Sequence, residues 1–332
     1  MRSFVRSFVM MLLVAAALCV NACAPWGTAP PSTLKPLANS TPDEREFPTP
    51  GQDNSASDNR TSTGNGGSVD TGNSDGGTPK PADPSPKPGP SSALPLLQAG
   101  SQGPAVERLQ QLLGELDYLP MRWVPDGQEP QTLDDEYRAV QSPPKGRWQP
   151  AYPNTPQALT ALWAESSFNT LVQGAVMTFQ EAKGLDTDGV VGPLTWDALL
   201  KDALAQRQNP FGYTFVVVNT RVPQTLTVWW NGKTVLTSPA NAGIAQSPTV
   251  HGTFPVYLRY RSQTMSGVTP WGEHYSDPGV PYVNYFYGGE AVHGFVRASY
   301  GTPQSLGCVE LPVDKAAVAW RYIHYGTLVH VQ

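Results

Sequence analysis

One long stretch near the N-terminus limits most strongly how this chain can fold. Residues 24–92 are mostly Pro, Gly, Ser, Thr, Asn and Asp, with almost no apolar side chains. A segment of this composition cannot bury enough apolar surface to offset the entropy lost on ordering. We therefore predict that residues 23–92 form a disordered tether, and that folded structure begins near Leu94. As a flexible coil, the tether would span on the order of 45 Å.

The residues before the tether have the layout of an export signal. Arg2 and Arg6 precede an apolar stretch that runs unbroken over residues 8–20. This run is shorter than the roughly 20 residues that a transmembrane helix needs. The sequence V-N-A-C that ends at Cys23 resembles the lipobox of bacterial lipoproteins. The resemblance implies that residues 1–22 are removed and that Cys23 carries a lipid, which would anchor an exported protein in the cell envelope. The alternative is an ordinary cleaved signal that leaves Cys23 as a stray thiol.

Cysteine usage leaves one thiol to be explained. The chain has three cysteines. Cys19 leaves with the signal and Cys23 would carry lipid, so Cys308 has no partner for a disulfide. A single remaining thiol in an exported protein requires an explanation, although a free cysteine is usually only a small buried apolar residue.

The charge of the chain argues against one class of partner. The formal net charge is -5. Without Arg2 and Arg6, 20 Lys and Arg remain against 27 Asp and Glu, so the mature chain carries -7. Nucleic-acid-binding domains are basic, and we therefore exclude nucleic acid as a partner.

Helical periodicity predicts an α-helical region over residues 93–205. A first helix has one apolar face made of Val106, Leu109, Leu112, Leu113 and Leu116. A second helix is predicted from about Ser166 to Lys183, with Leu171, Ala175, Val176 and Phe179 facing inward, and a third opens at Pro193 or Thr195. Residues 121–157 form a long insertion between these helices, for which we predict no element and assign no role.

Two motifs connect this helical region with a known family. The first helix carries G-S-Q-G-P-A-V-E-R-L-Q, and the later part carries A-V-M-T-F-Q-E-A-K-G-L-D-T-D-G-V-V-G-P-L-T-W. They resemble the small three-helix peptidoglycan-binding domain found in many wall enzymes. The resemblance implies the glycan of the wall as a partner, although a pattern that specifies a fold does not by itself establish a function.

The pattern changes to strands at Tyr213, and residues 212–332 are predicted to form a mostly β domain. The runs Y-T-F-V-V-V-N, Q-T-L-T-V-W-W and K-T-V-L-T-S-P-A are typical of strands, and the last two flank Asn231–Gly232, a strong hairpin signal. Short strands are expected at G-T-F-P-V-Y-L-R-Y, P-Y-V-N-Y-F-Y and A-V-H-G-F-V. A helix follows Leu311, with an inward face of Val313, Ala317, Trp320 and Ile323, before a last strand T-L-V-H-V-Q.

A histidine and a cysteine in this domain point to acyl-transfer chemistry. His293 precedes Cys308 by fifteen positions, and glycines flank both. A thiol with an ordinary pKa of about 8.5 is mostly protonated at neutral pH, so a nucleophilic Cys308 needs a base, for which His293 is the candidate. Gly307 would let the backbone turn and direct amide groups at a developing oxyanion.

The order of these residues resembles the L,D-transpeptidase catalytic domain of the YkuD type. The resemblance rests on H-G at residues 293–294 and on S-L-G-C-V at residues 305–309. It implies a β-sandwich with one packed helix and a cysteine enzyme that forms 3-3 cross-links between peptidoglycan stem peptides, releasing D-alanine through a Cys308 thioester. It further implies that the Gly294 carbonyl orients His293, that the amides of Gly307 and Cys308 form an oxyanion hole, and that Ser305 orders the loop. It implies neither a metal nor an organic cofactor.

Two alternatives stay open at this point. An L,D-carboxypeptidase would use water as the acceptor, and a catalytically inactive protein would only tether the wall. Many family members have His or Arg where this chain has Leu306, and often Arg or Asn where it has Glu310. The other histidines show no metal-ligand spacing and are interpreted as structural or surface residues: His251, His274, His324 and His330.

Overall fold

The structure is a computed structural model that describes residues 94–332. The predicted signal, the lipid site at Cys23 and the tether therefore lie outside the described residues. Within residues 94–332, no helix is long and apolar enough to cross a membrane.

The first half of the described chain is mainly helical, as predicted. Its elements in chain order are α1 (Pro104–Glu115), β1 (Met121–Pro125), α2 (Leu133–Gln141), β2 (Gly146–Pro150), α3 (Gln157–Thr160), α4 (Thr170–Lys183) and α5 (Pro193–Leu204). The predicted inward faces of α1 and α4 are buried in one apolar core. Helix α4 begins four residues later than Ser166, because the Asn169 side chain accepts the amide protons of Leu171 and Val172 and so caps the helix.

The insertion over residues 121–157 is folded, contrary to our expectation of no elements. Strands β1 and β2 pair antiparallel, and α2 lies between them in sequence. The Trp148 ring lies 5.1 Å from Trp123 and 4.7 Å from Trp163, measured between centroids. Fully buried Arg108 of α1 donates to both carboxylate oxygens of Glu136 in α2. The buried ion pair therefore attaches the insertion to α1, and the tryptophan contacts attach it to the segment around Trp163.

The glutamine and tryptophan of the second peptidoglycan-binding motif are engaged within the fold. The Gln180 amide donates to Asp188 Oδ1 at 2.7 Å and accepts the Gly189 N–H at 2.9 Å. Trp196 is completely buried and donates to the carbonyl of Pro95 at 2.8 Å. These side chains stabilise the turn and the helix packing, so any residues that contact a ligand lie elsewhere on this region.

The second half is mostly β, as predicted, and contains two sheets. Its elements are β3 (Thr214–Asn219), β4 (Thr225–Trp230), β5 (Lys233–Pro239), β6 (Gly252–Pro255), β7 (Leu258–Val268), β8 (His274–Tyr287), β9 (Glu290–Gly294), β10 (Val309–Leu311), α6 (Val313–Trp320) and β11 (Leu328–Val331). One sheet has the order β5-β4-β3-β11-β6 and the other β10-β9-β8-β7. Apolar side chains from both sheets and from α6 form one core. Strands β4 and β5 pair antiparallel on either side of Asn231–Gly232, as the sequence predicted.

Two local predictions in this domain are wrong. The run G-T-F-P-V-Y-L-R-Y does not form one short strand, because β6 joins the first sheet and β7 the second. Strands β7 and β8 are then 11 and 14 residues long and form an extended hairpin. The inward face of α6 is also displaced from the predicted one, since its buried residues are Ala316 and Ala319. Of the predicted face only Ile323, beyond the end of the helix, is buried.

Direct contacts join the helical region to the β domain. Glu181 of α4 accepts the backbone N–H of Tyr325 at 2.9 Å and pairs with the Arg259 guanidinium at 3.2 Å. Helix α4 also lies close to the backbone of the β domain, since a Cβ atom on Gly174 would lie 2.5 Å from the carbonyl oxygen of Gly326. The two regions are therefore packed against each other through α4.

Candidate active site

Two neighbouring strands place the candidate base and the candidate nucleophile on one face of a sheet. Cys308 directly precedes β10, which runs parallel to β9 with Glu310 opposite His293. Residues opposite each other point to the same side of a sheet, and successive residues alternate. Cys308 therefore shares the face of Ala291 and His293, and it packs against the apolar cluster that contains Ala291.

The Cys308 thiol is half-buried in largely apolar surroundings. Its Sγ lies 3.8 Å from the carbonyl oxygen of Gly289. Burial raises the pKa of the thiol to about 12; the backbone amide of Ala291 opposes this shift, and the charges of Glu310 and Glu290 add to it. The resting thiol is protonated at neutral pH, so a base must remove its proton as it attacks.

His293 has the arrangement of such a base. Its side chain is almost completely buried, and its Nδ1 lies 3.1 Å from the carbonyl oxygen of Gly294. A carbonyl only accepts hydrogen bonds, so Nδ1 carries the proton and Nε2 has the unshared electron pair. Burial lowers the pKa of His293, while the Gly294 carbonyl partly opposes this. The imidazole is therefore neutral at neutral pH, and its Nε2 can accept a proton.

Ser305 links the two ends of the loop before the nucleophile. Its Oγ donates to the carbonyl oxygen of Cys308 at 2.5 Å and accepts the Gly307 N–H at 3.3 Å. Gly307 has a φ of 115°, which side-chain-bearing residues rarely adopt. The contribution of the Gly307 amide to an oxyanion hole remains a prediction, since that N–H is bound to Ser305 in this structure.

Two hydroxyl groups from the segment before β6 hold the same loop from the other side. Thr249 Oγ1 donates to the carbonyl oxygen of Gly307 at 2.8 Å, and Ser247 Oγ donates to that of Leu306 at 3.0 Å. Sequence analysis did not identify these residues, because hydroxyl side chains sixty positions away give no local signal. The Leu306 position is thus anchored through its backbone.

An ion pair explains the unusual glutamate after the nucleophile. Glu310 is buried and accepts two hydrogen bonds from Arg297, at 2.8 and 2.6 Å. The Arg297 guanidinium lies 4.6 Å from the centroid of the Phe295 ring, which meets the His293 ring edge to face at 6.0 Å. The pair therefore lies beside the candidate base, and its two charges act on the pKa of His293 in opposite directions.

Glu290 is a further ionisable group that the sequence did not reveal. Its carboxylate accepts the Val250 N–H at 3.1 Å. A Cβ atom on Gly307 would lie 3.2 Å from Glu290 Cγ, so the glutamate side chain packs against the loop of the nucleophile. Burial raises the pKa of Glu290 to about 7. The charge next to Cys308 therefore changes near neutral pH.

The remaining histidines contact other parts of the fold. His251 and His330 face the hydroxyls of Thr220 and Thr253, at 3.1 and 2.8 Å. His324 stacks on a phenylalanine ring and pairs with Glu181. His274 is exposed at the start of β8. Among residues 94–332, no group of three or more His, Cys, Asp or Glu side chains has an arrangement suited to a metal ion.

Comparisons with known families match both halves of the described chain. Residues 213–331 match the model of the L,D-transpeptidase catalytic domain, YkuD. Residues 164–199 match the model of the peptidoglycan binding domain family PG_binding_1. The matches support the resemblances inferred from the H-G and S-L-G-C-V motifs and from the D-G-V-V-G-P-L-T-W motif. No curated protein matches the chain.

Solved structures of L,D-transpeptidases are similar to part of the chain. One from Mycobacterium smegmatis is 26% identical, with 36% of this chain and 58% of that chain covered and a TM-score of 0.33. One from Mycobacterium tuberculosis is 27% identical, with 36% and 58% covered and a TM-score of 0.31. The catalytic domain from E. faecium is 24% identical, with 36% and 96% covered and a TM-score of 0.33. The chain thus spans 58% of the length of each mycobacterial protein.

Proposed function

We propose that this chain is a peptidoglycan L,D-transpeptidase in which Cys308 is the nucleophile and His293 the base. The observation that carries the proposal is a neutral, carbonyl-oriented imidazole on the same sheet face as Cys308, the one thiol among residues 94–332, directly before the adjoining strand. The family match over residues 213–331 supports the reaction class. Proposed partners are the stem peptides and glycan of peptidoglycan.

In the first half of the reaction, the thiol becomes acylated. Sγ of Cys308 attacks the carbonyl carbon that joins the third, diamino residue of a donor stem to its D-alanine. His293 Nε2 takes the thiol proton and then gives it to the departing D-alanine nitrogen as the C–N bond breaks. The amide of Cys308, with that of Gly307 once it leaves Ser305 Oγ, would stabilise the oxyanion. Gly294 orients the base, and Ser305 orders the loop.

In the second half, an acceptor amine attacks the thioester. A C–N bond forms and the C–S bond breaks, while His293 takes a proton from the amine nitrogen and delivers it to the departing sulfur. With the side-chain amine of a second stem as acceptor, the product is a 3-3 cross-link. The mechanism requires no metal or organic cofactor, because the protein supplies the nucleophile, the base and the amide donors.

The test is the intact mass of the full-length protein after incubation with a tetrapeptide stem or with a carbapenem. We expect one covalent adduct on the wild type and none on Cys308→Ala or His293→Ala. His330→Ala is the matched control, since it removes another half-buried histidine of this domain. No adduct on the wild type under reducing conditions would overturn the enzymatic proposal. An adduct on Cys308→Ala would instead refute the nucleophile assignment.

Product analysis separates the remaining alternatives. Cross-linked dimers identify a transpeptidase, and tripeptide alone identifies an L,D-carboxypeptidase with water as acceptor. A protein that binds wall material but forms no adduct is the inactive tethered form.

We also propose an envelope location in which Cys23 is lipid-anchored and residues 23–92 form the tether. The L,D-transpeptidase and peptidoglycan-binding matches support an exported protein that reaches the wall. Cys23→Ser should release the protein from the membrane fraction, whereas Cys308→Ser should not. Retention of the Cys23→Ser variant in membranes would contradict lipid anchoring.

A further inference from the structure

The extended hairpin β7–β8 contains an irregularity beside Met265, which packs against the same apolar cluster as Cys308. Met265 pairs with Asp277 and Gln263 pairs with Val280, so two residues of β8 lie opposite a single residue of β7. Gly279, within this bulge, has a φ of 72°. Bulges occur preferentially next to active sites, where they redirect a neighbouring side chain. The side chain immediately before this bulge is Asp277.

Asp277 differs from the other carboxylates near the candidate base in its contacts. Glu310 is bound by Arg297, and Glu290 accepts a backbone N–H. In the described part of the chain, the half-buried carboxylate of Asp277 has no hydrogen-bond or ion-pair partner. A half-buried charge without a protein partner is available to a ligand of opposite charge.

The strand register turns Asp277 toward the candidate nucleophile. Asp277 lies directly opposite Met265, and residues opposite each other point to the same side of a sheet. Asp277 therefore shares the sheet face by which Met265 packs against the apolar cluster next to Cys308.

Burial lowers the pKa of His293, and the charge of Asp277 weakly opposes this. The same charge adds a little to the raised pKa of Arg297, which its hydrogen bonds to Glu310 mainly cause, and to that of Tyr275, which burial mainly causes. These groups come from three different segments, which agrees with a position of Asp277 on the face of Cys308 and His293. Arg297 is already held by both oxygens of Glu310, so Asp277 is not its partner.

We propose that Asp277 binds the ammonium group of the acceptor and so selects an amine, rather than water, to receive the acyl group. This inference rests on the proposed transpeptidase function and names the acceptor that the same site takes. A side-chain amine with a pKa of about 10.4 arrives as a cation at neutral pH, and an unpaired carboxylate beside the base provides its counter-charge.

The proton balance of the second half-reaction is consistent with this role. The bound ammonium first loses one proton to solvent through the carboxylate. The neutral nitrogen then attacks the thioester carbonyl carbon, the C–N bond forms and the C–S bond breaks. His293 takes the second proton from nitrogen and delivers it to the Cys308 sulfur. The products are an amide, a thiol and one released proton.

The experiment compares acceptor use by full-length wild type and Asp277→Asn, which has the same shape without the charge. Donor tetrapeptide is held constant, Nα-acetyl-lysine amide is the cationic acceptor, and products are quantified by mass. We expect the KM for this acceptor to rise about tenfold, with hydrolysis taking a larger share of the acyl-enzyme. Added salt should raise the wild-type KM more than that of the variant.

Two comparisons separate a charge contact from a structural effect. Hydroxylamine is uncharged at pH 7, and its rate of thioester capture should change less than twofold. Asp277→Glu should recover part of the preference for the cationic amine. The control variant Glu273→Gln removes an exposed carboxylate from the same hairpin and should leave the acceptor KM unchanged.

The outcomes distinguish this inference from the function on which it rests. If the wild type forms no acyl-enzyme, the proposed function fails and the inference fails with it. If the wild type transfers to the amine but Asp277→Asn has the same KM, the inference alone is overturned. It is also overturned if the wild-type acyl-enzyme reacts only with water, or if capture by hydroxylamine falls as much as capture by the cationic amine.

Discussion

Glu290 should make the stability of the protein depend on pH near neutrality. Burial raises its pKa from 4.5 to about 7, so the folded state holds a proton that the unfolded state releases. The contribution of Glu290 to the free energy of unfolding is fully present below about pH 4.5 and is lost as the pH rises through about 7. At about 1.36 kcal/mol for each pKa unit, the maximum is about 3 kcal/mol, which solvent screening of this half-buried group reduces to roughly 1–2 kcal/mol.

The perturbation is Glu290→Gln, because glutamine keeps an oxygen for the Val250 N–H but cannot ionise. Urea unfolding of both proteins between pH 5 and 8 measures the free energy of unfolding. The free energy of unfolding of the variant, minus that of wild type, should rise by roughly 1–2 kcal/mol from pH 5 to pH 8. Glu115 also has a pKa raised to about 7 by burial, but it is present in both proteins and cancels in the difference.

The same substitution should affect the nucleophile. The negative charge of Glu290 contributes to the raised pKa of Cys308, so its removal should speed carbapenem acylation at pH 8 more than at pH 5. Parallel curves of unfolding free energy against pH for the two proteins would refute the reasoning, because they would show that Glu290 ionises alike in the folded and unfolded chains.

Three further changes test other contacts of the site and the fold. Arg297→Ala leaves buried Glu310 without its partner and should cost about 3 kcal/mol in urea unfolding, whereas Arg297→Ala combined with Glu310→Gln should recover part of this loss. Gly307→Ala places a Cβ against Glu290 at a φ of 115° and should slow carbapenem acylation at least tenfold, with wild-type rates counting against a strained loop. Glu181→Ala removes contacts between α4 and the β domain and should lower the thermal midpoint by several degrees, which calorimetry checks.

Elements that bury one apolar stripe were the most predictable from the sequence. The inward faces of α1 and α4 follow from helical spacing alone, and the β4–β5 hairpin follows from Asn231–Gly232. Helix α6 shows the limit of this reasoning. Ala316 and Ala319 face the core, and β9 approaches the helix closely at Ala316, since a Cβ atom on Gly294 would lie 3.2 Å from the Cβ of Ala316. Small residues give a weak periodic signal beside Val313 and Trp320.

The extended hairpin escaped sequence analysis for a different reason. Between residues 261 and 279, most side chains of β7 and β8 are exposed or half-buried, so no face alternates clearly between apolar and polar. Its long antiparallel ladder stabilises it without a buried stripe. Asp277 and Glu290 could not be identified from the sequence for another reason. Their significance comes from the strand register, which brings residues that are distant in sequence close together.

The charge reversal at Glu310 connects these observations. A glutamate beside the base would oppose thiolate formation if it were unpaired, and the sequence alone left this departure unexplained. Arg297, on the loop between His293 and Cys308, supplies a positive charge that pairs with Glu310, so the two side chains leave no net charge at that position. The apolar side chain of Leu306 likewise does not leave the loop unanchored, because Ser247 Oγ donates to the backbone carbonyl of Leu306. Once Arg297 is engaged by Glu310, it cannot neutralise Asp277, which therefore remains as a counter-charge for a cationic acceptor.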